Sequence, residues 1–476
     1  MKNRFIHLLV TAGFNSLFAI ISQVFLVKFS ALNSGKNGVV IYSLMRDLGK
    51  VGVQINSLKA SEFIARFVRR QKKIRNKVNI QPLLVSHLFF GIVITIGILV
   101  FLNFSDLLEI QGFDKKSLMV YCFLILFLGL ISQITNGLVV GFCSSKQNIF
   151  NDIISNVISG FTIAIIIFYW EHKNITALFF FCYHAVLSAL NILKILKSKI
   201  KFPIPLWDYK EIASYYKLIG GSVLMIGSGF MTSMLYKYLI LKFWKTEILA
   251  IYETAQTITS LFHITLTALF VRILLPRYSE RGAHYIKHHV EDLIKIITPL
   301  AIIYSVFISL FSEKIILILY SPDLLNSSEW LKLNCVADIF RLQAMFISIK
   351  FLAKGDLKAI VTPAIFHNIS LLILVGISCY YKNIIFLKYS YLASYLVFLL
   401  SCLLFDSDFK KLGNNYLFSS YSYIVHASII MYNFGKEPGK NLQPTKILIC
   451  LFVISGIFYY FNLHKIKIIF QEDDFK

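Results

Sequence analysis

The chain has 476 residues, 57% of them hydrophobic and only 15% charged, with a mean hydropathy of +0.68. That composition excludes an ordinary soluble domain and places the chain among polytopic membrane proteins. The formal net charge of +23 would suggest nucleic acid in a soluble protein. Here Lys and Arg collect between apolar runs, so they read as topology signals and headgroup contacts, and no nucleic-acid partner is expected.

Apolar stretches near the ~20 residues that cross a bilayer as a helix number about fourteen. The first follows Lys2 and Arg4 in the manner of a signal peptide. No small-residue cleavage site follows it, and apolar residues continue to position 29, so an uncleaved helix is expected. The first set covers residues 7–29, 38–58, 82–103, 118–142, 153–170 and 177–193. Residues 194–217 are basic and punctuated by proline, as a cytoplasmic linker would be. A matching set follows at 218–241, 251–271, 296–319, 336–353, 360–380 and 389–405, and the tail adds 416–434 and 447–461. The expected fold class is an all-α polytopic membrane helix bundle with two pseudo-symmetric six-helix lobes, 1–193 and 218–406. The linker 194–217 joins them, and an extension at 407–476 supplies two further transmembrane helices.

Orientation follows from the basic loops. Residues 59–77 hold Arg66, Arg69, Arg70, Lys72, Lys73 and Arg75, and residues 272–295 hold Arg277, Arg281 and Lys287. Placing these inside makes both termini cytoplasmic. The opposite loops at 171–175 and 242–246 are short and leave little room for a catalytic domain, so an enzyme is not expected. Pro276 reads as a helix stop, and Gly220, Gly221, Gly227 and Gly229 as a site of close helix packing or a bend used in alternating access. The seven cysteines are scattered and suggest neither metal nor disulfide. No phosphate loop or paired-histidine zinc motif occurs, and no cofactor is expected. His87, His184, His263, His367 and His426 are isolated and read as packed residues. Glu472, Asp473 and Asp474 read as a solvated tail.

Two spans break the apolar pattern. Residues 38–58 carry Arg46, Asp47 and Lys50, and residues 336–353 carry Asp338, Arg341 and Lys350. Charge within a span is costly unless paired or facing water. Its placement in both sets suggests a polar cavity between lobes.

The run Gly35-Lys36-Asn37-Gly38 leading to Arg46, the segment Leu275-Pro276-Arg277-Tyr278-Ser279, and the stretch from Ala337-Asp338-Ile339-Phe340-Arg341 to Ala353-Lys354-Gly355 together resemble the Wzx-type flippases. These form the polysaccharide transport family of the multidrug/oligosaccharidyl-lipid/polysaccharide exporter superfamily. The resemblance covers about the first 406 residues. It implies alternating-access translocation of an undecaprenyl-diphosphate-linked oligosaccharide, such as an O-antigen repeat unit, coupled to an ion gradient across a bacterial inner membrane. It further implies membrane lipids, a polysaccharide polymerase and chain-length proteins as partners. Two departures stand out: the tail is longer than in twelve-helix relatives, and Pro363-Ala364 stands where many relatives carry an acidic residue.

A diphosphate needs fixed positive charge to replace its hydration, and Arg can bond two phosphate oxygens at once. The candidates for a cationic cavity are Arg46, Lys237 and Arg341. The bland alternatives are that Arg46 and Arg341 pair with Asp47 and Asp338 to hold the bundle, and that Lys237 snorkels to the interface. Ion coupling needs a buried carboxylate beside a cation, which leaves Asp338, Asp47 and Glu253, although Glu253 reads as an exposed helix end. A multidrug exporter of the same superfamily and a membrane polysaccharide polymerase or ligase are the competing functions. The excess of Arg and Lys in the spans points to an anionic substrate.

Overall fold

The computed structural model of the chain describes residues 2–61, 63–65, 67–68, 80–105, 107–110, 112–142, 145–169, 175–198, 209–280, 301, 304–354 and 356–405. The middle of the inter-lobe linker (199–208), most of both basic loops and both expected tail helices lie outside the described residues. Every regular element among those described is helical, as an all-α membrane bundle requires.

Helix α1 (Lys2–Asp47) joins the first two apolar runs, and it turns at Gly35, whose φ of 55° and ψ of −137° only glycine adopts without strain. The chain then departs from the single α-helix expected over 38–58. A π-helical turn (Leu48–Gly52) intervenes, closed by the Val53 N–H bonding to the Leu48 carbonyl. The short α2 (Val53–Asn56) follows, and positive φ at Leu58 and Lys59 ends it. Glycine fits at position 49 of the π-turn because a Cβ there would meet the Phe180 ring at 2.6 Å.

Next come α3 (Gln81–Phe104), α4 (Lys115–Phe142), α5 (Ser145–Tyr169) and α6 (Ile175–Lys197). The carboxylate of Asp114 starts α4 by accepting from the backbone N–H (2.9 Å) and hydroxyl (2.6 Å) of Ser117, which hold it below the usual carboxylate range. Helix α7 (Tyr209–Glu280) spans two predicted runs and breaks at Lys245, where φ is 68°. The helix continues through Pro276 to Glu280, so the proline is not a stop. In a long helix it removes one ladder bond without ending the segment.

The predicted span 296–319 is interrupted at Phe311, after which α8 (Ser312–Leu319) begins. Helices α9 (Ser327–Lys354), α10 (Leu357–Tyr381) and α11 (Ile384–Phe405) complete the described set. Helix α9 starts well ahead of the predicted residue 336 because its first turns, with Glu329 and Lys332, are helical but polar. Asp356 caps α10 by accepting from the Ala359 N–H at 3.1 Å.

Six of the described helical segments are long and apolar enough to cross a membrane. The 24 residues of α3 rise ~36 Å, enough for the ~30 Å hydrocarbon core. One face of α3 buries His87, Gly91, Thr95, Ile98 and Leu102, while Val85, Phe89, Ile96 and Phe104 point outward. An exposed apolar face of this kind is solvated by lipid.

Within the first half α4 packs on α6 and α3, and α5 on α6; within the second, α7, α9, α10 and α11 pack together. The halves meet chiefly along α1 and α7. Small residues allow the tightest approaches. A Cβ on Gly91 would lie 2.6 Å from Leu130 and 2.8 Å from the Asn56 carbonyl oxygen. The glycines of α7 behave otherwise: a Cβ on Gly220, Gly227 or Gly229 would meet nothing within 4 Å. Among the described residues nothing approaches these three closely enough to require glycine.

Candidate functional site

Ser43, Arg46, Asp47 and Lys50 follow one another at helical spacing on the end of α1 and its π-turn, so they share a face. That face meets two stretches of α7: Ser233, Tyr236 and Lys237 before the break at Lys245, and Glu253, Gln256 and Thr257 after it. The side chains interlock across the seam. Lys237 Nζ donates to Ser43 Oγ at 2.5 Å and Asp47 Oδ2 at 2.6 Å, and lies 3.5 Å from Glu253 Oε1. Arg46 bonds Asp47 Oδ1 through Nε (3.1 Å) and Nη2 (3.0 Å), and its Nη1 donates to Thr257 Oγ1 at 2.7 Å. Its Nη2 also reaches Glu253 Oε2 at 3.3 Å. Hydroxyls complete the carboxylate shells: Ser233 donates to Asp47 (2.6 Å), and Ser43 (2.5 Å) and Tyr236 (2.6 Å) donate to Glu253.

Lys237 and Glu253 have no exposed surface, and Asp47 is 8% exposed. An ion without partners at such depth would cost several kcal/mol, roughly, so pairing is obligatory. Two cations and two carboxylates balance to zero. The structure therefore corrects two expectations: Lys237 does not snorkel to the interface, and Glu253 is not an exposed helix end. Both residues are drawn inward because each meets an opposite charge across the seam, Lys237 at Asp47 and Glu253 at Arg46. Aromatic rings wall the network: Tyr42 lies under the Arg46 guanidinium at 5.9 Å, Tyr252 packs tilted on Tyr236 at 5.5 Å, and Trp330 meets Tyr252 edge-to-face at 5.9 Å.

Two further contacts tie the halves near the turn at Gly35. Lys36 pairs with Glu247 at 2.5 Å on the surface. Lys28 Nζ donates to the carbonyls of Leu317 (2.9 Å) and Tyr320 (2.5 Å) at the carboxyl end of α8, where a cation complements the helix dipole.

Arg341 and Asp338 form a second, separate cluster within the second half. They lie 3.6 Å apart, one turn apart on α9. Tyr391 of α11 donates to Asp338 at 3.3 Å and accepts from Arg341 Nη1 at 3.2 Å. The guanidinium lies 5.3 Å from the centre of the Tyr395 ring, which packs on His367 of α10 at 4.3 Å. Among the described residues no group of three or more His, Cys, Asp or Glu is arranged to hold a metal.

A family model described as a polysaccharide biosynthesis protein matches residues 64–330, more than half of the chain. The chain belongs to this family. No curated protein matches the polysaccharide biosynthesis chain. Among solved structures, an inward-facing multidrug resistance MATE family transporter of the MOP superfamily aligns at 15% identity and TM-score 0.67, covering 84% of this chain and 96% of its own. The lipid II flippase MurJ in an inward closed conformation aligns at 16% identity and TM-score 0.60, covering 95% and 99%. A MOP superfamily transporter from Pyrococcus furiosus aligns at 14% identity and TM-score 0.61, covering 88% and 94%. These likenesses establish the fold, and with the family match they bear out the resemblance to Wzx-type flippases drawn from the sequence.

Sequence reasoning about this polysaccharide biosynthesis protein singled out six charged residues, and the structure gathers four of them into one network. It missed Ser43, Ser233, Tyr236 and Thr257, the neutral groups that complete the shells. Their signal was present: Ser43 and Asp47, Ser233 and Lys237, and Glu253 and Thr257 each stand four residues apart on one helix face.

Proposed function

We propose that this multi-pass membrane protein is a flippase for an undecaprenyl-diphosphate-linked oligosaccharide, of the O-antigen or a related kind, working by ion-coupled alternating access. It would act in a bacterial inner membrane with both termini cytoplasmic, ahead of a polysaccharide polymerase and chain-length proteins. The observation that carries the reading is the buried ion network at the seam between the halves. Arg46 and Lys237 sit where the halves must part, and each is held by a carboxylate that an incoming diphosphate can replace. A fixed cation at that depth offsets the desolvation of the anion, and the partner carboxylates Asp47 and Glu253, with Asp338 in the second half, are the groups through which an ion gradient would act. Arg341, backed by Tyr391 and Tyr395, offers a further guanidinium for the glycan or the diphosphate. The family match to polysaccharide biosynthesis and the fold shared with a lipid II flippase support the same substrate class.

The test is reconstitution in liposomes. A polyprenyl-diphosphate-linked oligosaccharide is placed in one leaflet and its appearance in the other is followed for wild type, Arg46→Ala and Arg341→Ala. The expected outcome is movement by wild type that both substitutions abolish while the protein stays folded. Movement of a cationic drug but of no such lipid would transfer the chain to the drug-exporter reading.

A further inference from the structure

The π-turn at Leu48–Gly52 lies between two docked segments. Before it, Arg46 and Asp47 engage Glu253, Thr257 and Lys237 of α7. After it, the side chain of Asn56, wholly buried, donates to the Leu126 carbonyl of α4 at 2.7 Å and to Thr95 of α3 at 3.2 Å. A Cβ on Gly129 of α4 would collide with Val53, so α2 lies directly on that helix. The turn sets the angle between the two segments. An α-helix advances about 100° per residue, and a π-turn holds one residue more than an α-turn. If the turn closed to α with Asn56 fixed, each residue before it would pass into the place of its predecessor. Leu48 would then stand where Asp47 is and Leu44 where Ser43 is. Lys237, with no exposed surface, would face two leucines in place of its carboxylate and hydroxyl.

The π form is held from outside the helix. In an α-helix the Val53 N–H would bond the Gly49 carbonyl; here it bonds Leu48, and His184 of α6 supplies the donor that Gly49 loses, with Nε2 at 3.0 Å. A carbonyl only accepts, so Nε2 carries the proton, and Nδ1 of the neutral ring accepts from the hydroxyl of Ser132 on α4 at 3.1 Å. The imidazole is thereby fixed at both nitrogens and is 2% exposed. Phe180, one turn earlier on α6, closes over Gly49, where a Cβ would meet its ring at 2.6 Å.

We propose that His184 is a positioning residue for the ion network. By taking the Gly49 carbonyl it keeps the added residue in the turn, and through the backbone of α1 it aims Arg46 and Asp47 at α7. The assignment rests on the reading of the network as the seam that parts, and its test requires no transport.

Spin labels at Leu32 and Lys245 of the full-length protein in nanodiscs report the closed-to-open ratio of the seam. They are compared in wild type, Lys237→Met, His184→Leu, His184→Gln and the double variant of His184→Leu with Lys237→Met. His184→Leu keeps an apolar bulk and removes both ring nitrogens; it is expected to lower the ratio by about tenfold, the effect of a buried carbonyl losing its donor. His184→Gln, which offers an N–H donor and a carbonyl acceptor, is expected to restore most of it. In the His184→Leu background, Lys237→Met is expected to change the ratio by less than about twofold, because the ammonium has already lost its partners, whereas the effects of independent sites multiply. Multiplied effects overturn the assignment, since lost packing at His184 lowers the melting temperature without cancelling the effect of Lys237. Deleting Val51 takes the added residue out of the turn and returns an α-helix with both flanking faces in place, so its distances are expected to match wild type. A shift there as large as that of Lys237→Met overturns the assignment, and this variant decides even where His184→Leu fails to fold. The expected distances in a protein that moves no diphosphate lipid overturn the flippase reading and leave the assignment of His184 standing.

Discussion

Lys237→Met places the heaviest demand on the seam network. The substitution keeps the length of the side chain and removes an ammonium with no exposed surface and with carboxylates at 2.6 and 3.5 Å. Breaking a buried ion pair costs about 3–5 kcal/mol because the remaining charge is stranded. Here Arg46 still serves both Asp47 and Glu253, so the lower end, about 3 kcal/mol, applies. Parting of the halves lets water reach the stranded carboxylates, so the penalty falls on the closed seam. It shifts the closed-to-open ratio by on the order of a hundredfold. Spin labels at Leu32 and Lys245, on the two halves near their turns, should report a longer separation in Lys237→Met than in wild type. Adding Asp47→Asn removes one of the two negative charges and should recover much of the shift, since Arg46 and Glu253 then balance alone. An unchanged distance distribution and an unchanged melting temperature in Lys237→Met would refute the view that this ammonium holds the halves together.

Lys36→Ala should change unfolding stability by less than about 1 kcal/mol, because its pair with Glu247 is solvent-exposed; thermal melts of the purified protein decide this. Gly91→Leu should destabilise by about 1–3 kcal/mol or more, since the new side chain meets Leu130 and the Asn56 carbonyl, and near-normal melting would mean that α3 and α4 can separate freely. Gly227→Ala should be neutral or stabilising by up to about 1 kcal/mol, given open space around it and the higher helix propensity of alanine. Asp338→Asn should change the pH dependence of transport measured in liposomes; an unaltered profile removes this carboxylate from ion coupling.

Among the described residues, hydropathy alone marked the apolar spans and their rough limits, because a bilayer imposes both length and apolarity on any segment that crosses it. Boundaries drifted where the helix outlasts the hydrocarbon, as in the polar first turns of α9, or where a local rule such as Pro276 as a stop yielded to a long helix around it. The rarity of charge within spans also marked Arg46, Asp47, Asp338 and Arg341 from sequence, since ions at that depth need a reason. Their partners were beyond reach. Lys237 and Glu253 looked like residues near helix ends, and only the packing of α1 against α7 brought them to within bonding distance of Asp47 and Arg46, 190 and 207 positions away in the chain. The π-turn at Leu48–Gly52 was equally illegible, because its extra residue depends on His184, Ser132 and Phe180 arriving from distant helices. Periodicity records which face of a helix is apolar; which other helix covers that face, and which charges then cancel, is settled by tertiary packing.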